Sequence, residues 1–266
     1  MSDCVFSVDE SIVIVTGASG GIGAETARRF AANGANVVIC SREQARVDAV
    51  VDEITADGVD GDVYAVECDV TNRDAVEALV DTAVERFGGL DVLINNAGAS
   101  FMAPFEDVSE NGWKTIIDIN LHGTFHCTQA ATEAMKDDGG GSIVNVSSTA
   151  ALHGSPLMTH YGAAKAGMIN LTRTLAFELA EYDVRVNCIA PGIVATEGME
   201  SQMGFSADDL ERTTVKRRIG LPVEIADIAI VLASSATSYL TGETIAVEGV
   251  PRVEETHEFS EAYSWL

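Results

Sequence analysis

Residues 16–23 read Thr-Gly-Ala-Ser-Gly-Gly-Ile-Gly (TGASGGIG), and they decide the fold. Before them stands a short apolar run rich in β-branched residues, 11–16 (SIVIVT). After them, residues 22–33 show apolar side chains at helical spacing and stop near Gly34. The predicted unit is a strand, a glycine-rich turn and a helix. Gly17, Gly21 and Gly23 keep the turn free of side-chain bulk, so an anion can approach the backbone. The helix start then offers unpaired N–H groups and partial positive charge. Glycines at such spacing occur in plain tight turns as well; the strand–turn–helix context is what points to a dinucleotide phosphate.

The same alternation continues outward. Strands are predicted at 36–41, 62–68, 90–94, 142–147, 183–189 and 243–247. Helices are predicted at 46–56, 72–87, 109–135, 159–181 and 222–234. Strands that are apolar throughout and alternate with helices imply a doubly wound α/β architecture: one parallel seven-stranded sheet covered on both faces. Neither a linker nor a repeat divides the chain, so residues 1–266 are expected to form one domain. Two segments break the rhythm. Residues 196–221 form a long polar connection containing Gly198, Gly204 and Gly220, a length typical of a substrate lid. The tail, 250–266, is acidic but carries Phe259, Tyr263 and Trp265.

The chain holds 41 acidic against 16 basic residues, a net charge of −25. That field repels nucleic acid and anionic membrane surfaces, so neither is an expected partner. Only four of the bases are lysine, and an acid-rich, lysine-poor surface resembles proteins adapted to high salt. No apolar run approaches the ~18 residues of a membrane span. The first ten residues carry acids and no basic cluster, which speaks against a secretory signal and for a cytoplasmic protein. The five cysteines, an odd number, lack C-x-x-C spacing; Cys40, Cys68 and Cys188 fall in strand-like segments and read as buried fillers. His122 and His126 are four apart on a helix but have no evident third ligand, so no metal is expected.

The end of the second strand distinguishes NAD from NADP. A carboxylate there would bind the ribose diol and repel a 2′-phosphate. This chain has Ser41 and Arg42 instead, a hydroxyl and a guanidinium suited to phosphate. NADP(H) is therefore favoured, with NAD(H) as the alternative.

These motifs identify a resemblance to the short-chain dehydrogenases/reductases over residues from about 10 to 249. The resemblance implies a Rossmann fold and a cofactor wall made by Gly17, Ser19, Gly21, Ile22 and Gly23, then Ser41 and Arg42. Asp69 and Val70 would lie near the adenine. Asn96, Ala97 and Gly98, within the NNAG run that begins at Asn95, would border the cofactor. Pro191, Gly192, Val194 and Thr196 would hold its carboxamide and pyrophosphate.

Tyr161 and Lys165, in YGAAK, are four apart and share one helix face. An ordinary tyrosine, with a pKa near 10, is a poor acid/base at neutral pH. An ammonium roughly 5 Å away, at an effective dielectric near 20, stabilises the phenolate by about 3 kcal/mol. Tyr161 is thus the candidate acid/base, with Lys165 as its electrostatic support; both would also touch the cofactor. The family spacing makes Ser148, rather than its neighbour Ser147, the hydroxyl that orients the substrate oxygen. It makes Asn120 the residue that holds a water beside the lysine. The expected activity is hydride transfer between nicotinamide and a carbonyl or secondary alcohol carbon. The lead substrate is a 3-oxoacyl thioester; sugars and small secondary alcohols are the alternatives. A cofactor-binding regulatory protein without turnover is the competing class, which the complete set of four residues disfavours. The resemblance also implies a homotetramer that pairs the helices at 109–135 and 159–181.

Overall fold

The computed structural model describes residues 5–197 and 219–250. Its centre is one seven-stranded sheet, every pair parallel, in the order β3-β2-β1-β4-β5-β6-β7. The strands are β1 (Ile12–Thr16), β2 (Asn36–Ser41), β3 (Val63–Glu67), β4 (Val92–Asn95), β5 (Gly141–Val146), β6 (Val184–Pro191) and β7 (Thr244–Val247). Parallel strands need crossovers, and helices supply them: α1 (Gly21–Ala31), α2 (Gln44–Ala56), α3 (Arg73–Phe87), α4 (Glu110–Ile117), α5 (Gly123–Asp137), α6 (Thr159–Glu178) and α7 (Pro222–Ala233).

Side chains alternate along each strand and so divide the core in two. Val13, Val15, Val37, Ile39, Ile94 and Val144 face one layer, where Phe30 of α1, Ile54 of α2 and Ile225 of α7 pack. Ile14, Val38, Leu93 and Ile143 face the other, with Leu79 of α3 and Met135 of α5. Cys40, Cys68, Cys127 and Cys188 are buried free thiols; Cys4 lies outside the described residues. Among the described residues no helix is long and apolar enough to cross a membrane.

The order reverses direction at β1: the chain runs outward through β2 and β3, then returns to β4 on the other side. The carboxyl ends of β1 and β4 therefore diverge into a crevice, the place where open α/β sheets bind ligands.

One expected element differs. Residues 109–135 were expected to be a single helix. The structure has α4 and α5 joined by a π-helical turn, Asp118–His122, with Asn120 at its middle. Apolar spacing runs through the turn unbroken, so the pattern hides the extra residue. Such turns gather at functional positions. The expected lid falls mostly outside the described residues, as does the tail. The lid's two ends are clasped to each other: Val194 bridges Gly220 in parallel, and Ala195 N–H donates to Gly220 O at 2.8 Å.

Candidate active site

A cleft of about 1310 Å³ lies along the carboxyl ends of the strands. At one end is the glycine turn. Gly17 has φ 66°, and a Cβ there would lie 2.6 Å from Ala97 Cα; only glycine allows the two strand ends to meet so closely. Gly23 is equally constrained, since its Cβ would fall 2.5 Å from Asn96 Nδ2. Asn96 in turn donates from Nδ2 to the Thr16 and Gly17 carbonyls at 2.9 and 3.0 Å. The backbone N–H groups of Asn96 and Ala97 both donate to Thr16 Oγ1 at 3.0 Å. This network fixes the turn. No side chain caps the start of α1, and the residues opening that helix line the cleft. An anion there would meet donors already in place.

All the expected cofactor residues are brought together on this wall: Gly17, Ser19, Gly21, Ile22, Gly23, Ser41, Arg42, Asp69, Val70, Asn96, Ala97 and Gly98. Pro191, Gly192, Val194 and Thr196 form the facing side. Asp69 also makes a local turn, accepting from Thr71 N–H at 2.9 Å. Sequence reasoning missed Arg46. It sits on the first turn of α2, lines the cleft beside Arg42, and reaches Ser19 O at 3.5 Å. The available signal was its i,i+4 spacing from Arg42. Among the described residues, neither arginine forms an ion pair.

Deeper in the cleft stand Ser148, Tyr161 and Lys165. Ser148 leaves the end of β5, while Tyr161 and Lys165 come from the first turns of α6. The Ser148 hydroxyl lies near enough to the Tyr161 phenol to lower its pKa and accepts from Ala150 N–H at 3.1 Å. Ser147 is excluded by its partner: it is buried and donates to Lys165 O at 2.9 Å. Lys165 is 3% exposed, and its Nζ donates to Val146 O at 2.8 Å. That ammonium stands 5.7 Å from the Tyr161 ring centroid. Asn120 is buried behind the lysine. Its Nδ2 donates to Ala99 O at 2.8 Å and Ile116 O at 2.9 Å, while Oδ1 has no partner. An orphaned buried acceptor suits a bound water; Asn120 itself is fully buried and is not among the residues lining the cleft.

The electrostatics depart from the simple Coulomb expectation. Burial pushes the Lys165 ammonium down to about 8. The Tyr161 phenol is raised above its ordinary range, because burial outweighs the lowering by Ser148. The attraction between lysine and phenolate was counted from sequence, but the loss of hydration was not, and here desolvation dominates.

The two histidines weighed as metal ligands have other partners. His122 Nδ1 pairs with Asp118 Oδ1 at 2.7 Å, and His126 Nδ1 with Val70 O at 3.1 Å.

Residues 11–204 match the family model for short chain dehydrogenase. The chain is 37% identical over 242 residues to a 3-oxoacyl-[acyl-carrier-protein] reductase of Thermotoga maritima, covering 91% of this chain and 98% of that one. It is 41% identical over 245 residues to bovine dehydrogenase/reductase SDR family member 4, covering 91% and 87%. Among solved structures, a 7α-hydroxysteroid dehydrogenase complexed with NADH and 7-oxo glycochenodeoxycholic acid superposes with a TM-score of 0.85 at 35% identity, covering 96% of this chain and 99% of that one. The chain belongs to the short-chain dehydrogenase/reductase family of oxidoreductases.

Proposed function

We propose that the protein is an NADP(H)-dependent reductase of 3-oxoacyl thioesters or closely similar ketones, working as a homotetramer. One observation carries the chemistry: Ser148, Tyr161 and Lys165 converge on the wall of the same cleft that the glycine turn lines, with Asn120 Oδ1 and Lys165 Nζ both beside Gly98. The glycine turn fits a dinucleotide, because Gly17 and Gly23 stand where any Cβ would collide. Arg42 and Arg46, which have no carboxylate partner among the described residues, support a 2′-phosphate over a bare ribose diol. NAD(H) is the second reading, and the NADH in the hydroxysteroid dehydrogenase keeps it in view.

When bound, the nicotinamide supplies the hydride that reduces the carbonyl carbon. The chain's own residues do the rest. The Ser148 hydroxyl orients the carbonyl oxygen. Tyr161 Oη delivers the proton to that oxygen as it becomes an alkoxide. The Lys165 ammonium stabilises the phenolate left behind, and the partnerless Asn120 Oδ1 would hold a water from which that proton could be replaced.

The names of the 3-oxoacyl reductases among the relatives support the substrate class. The test is a screen of NADPH and NADH against acetoacetyl-CoA, sugars and simple ketones or secondary alcohols. Preferential oxidation of NADPH by acetoacetyl-CoA is expected. Cofactor binding with no turnover on the whole panel would favour the regulatory reading. For assembly, the small residues on α5 and α6 support little, since Ala131 and Ala164 are fully buried in this chain and Ala130 and Ala134 pack against its own core.

A further inference from the structure

The substrate end of the cleft is walled by residues 99–102, which follow the NNAG run. This wall is held at three points. At its start, Asn120 Nδ2 donates to Ala99 O at 2.8 Å. Just past its end, Ala103 N–H donates to Leu157 O at 2.9 Å. Leu157 takes φ 66°, a conformation a bulky side chain adopts only when its surroundings impose it. In the middle, Phe101 lies on His160, with ring centroids 4.0 Å apart and planes at 55°. Gly112 of α4 makes room for this ring, since a Cβ there would lie 3.0 Å from Phe101 Cζ. Phe101 lines the cleft and is 38% exposed; His160 is fully buried.

His160 is the residue before Tyr161, so the ring that supports the wall and the candidate acid/base share one helix turn. It is also an expensive choice of wedge. Neither ring nitrogen has a hydrogen-bond partner, and a buried, unpaired polar atom destabilises the fold. Burial keeps the imidazole neutral by pushing its pKa down. What the ring does supply is a flat surface for Phe101 at the point where the wall has no backbone anchor.

We propose that His160 is a positioning residue: it holds Phe101 against α6 and thereby sets the width of the substrate end of the cleft. This rests on the carbonyl-reductase reading for the location of the substrate. Four variants test it: His160→Ala, His160→Phe, Phe101→Ala and the double variant His160→Ala with Phe101→Ala. Each is measured for KM and kcat on a small and a bulky ketone, for NADPH affinity, for melting temperature, and for hydrogen exchange of the amides at 100–103.

Loss of an aromatic contact predicts that His160→Ala raises KM for the small ketone roughly three- to tenfold. The preference should shift toward the bulky ketone, while kcat and NADPH affinity stay within about twofold. Exchange at 100–103 should accelerate. His160→Phe keeps the stacking surface and removes both orphan nitrogens, so it should restore KM and slow exchange again while raising the melting temperature. Phe101→Ala should mimic His160→Ala, and the double variant should be no worse than either. Unchanged KM and unchanged exchange in His160→Ala would overturn the proposal, as would failure of His160→Phe to restore them. If the unmodified enzyme turns over no carbonyl, the functional reading fails instead, and the exchange comparison alone decides whether His160 positions the wall.

Discussion

Replacing Lys165 by methionine should abolish activity and yet change stability in a way that reports the buried charge. The folded protein holds this ammonium with a pKa of about 8, against an ordinary value of 10.5. The folded pKa is the lower one, so between those values the unfolded chain binds more protons and stability rises with pH. Linkage over the pH range 7 to 9.5 gives about 2 kcal/mol of added stability from this one group, taking one pKa unit as roughly 1.4 kcal/mol. Lys165→Met lacks the titrating group but keeps the other acids and bases, whose pH dependence therefore cancels in the comparison. The variant also leaves the Val146 carbonyl without its 2.8 Å donor, a cost of about 1–3 kcal/mol that does not vary with pH. The assay is equilibrium urea unfolding of both proteins at pH 7 and pH 9.5. The stability of the wild type relative to Lys165→Met should climb by about 2 kcal/mol across that range. A constant difference would mean that Lys165 titrates at its ordinary value. A falling one would mean that its charge is stabilised in the fold, and the desolvation argument would be wrong in sign.

Tyr161→Phe should lower turnover by ~10²–10⁴-fold while cofactor affinity, measured by fluorescence titration, stays nearly intact; a variant keeping more than about a tenth of the rate would place the acid elsewhere. Arg42→Asp should weaken NADPH binding by roughly 10- to 100-fold, the worth of a charge-assisted hydrogen bond, and favour NADH; a wild type that already prefers NADH would remove the basis for this reading. Association should strengthen with salt, because a charge of −25 opposes it at low ionic strength. Light scattering across a salt series checks this, and a 28.0 kDa particle at every concentration would contradict the tetramer.

Much of the fold was legible because each strand is a short, almost uninterrupted apolar run, as in Val37–Ile39 between Asn36 and Ser41, and each crossover carries helical spacing. The cofactor wall was legible because steric demands leave glycine no substitute at Gly17 and Gly23. What stayed hidden depends on three-dimensional partners. Ser147 and Ser148 are chemically alike in sequence; family spacing chose Ser148, and the physical difference, the bond from Ser147 to Lys165 O, needed the structure. The π turn at Asn120 inserts a residue without disturbing apolar periodicity. Arg46 reads as an ordinary helix residue until α2 is seen to open onto the cleft. The sign of the Tyr161 shift needed burial, which spacing on one helix does not contain. His160 reads as a polar helix residue, and nothing in its local pattern indicates that Phe101 covers it.

The most direct test of hydride transfer follows the hydride itself. NADPH carrying deuterium at the transferable C4 position is mixed with enzyme and acetoacetyl-CoA, and the product is examined by mass spectrometry and NMR. The account predicts one deuterium on the new carbinol carbon, matched one for one with NADPH consumed, and none of it in Tyr161→Phe. Consumption of NADPH with no deuterium at that carbon, or no consumption with any carbonyl offered, would contradict it.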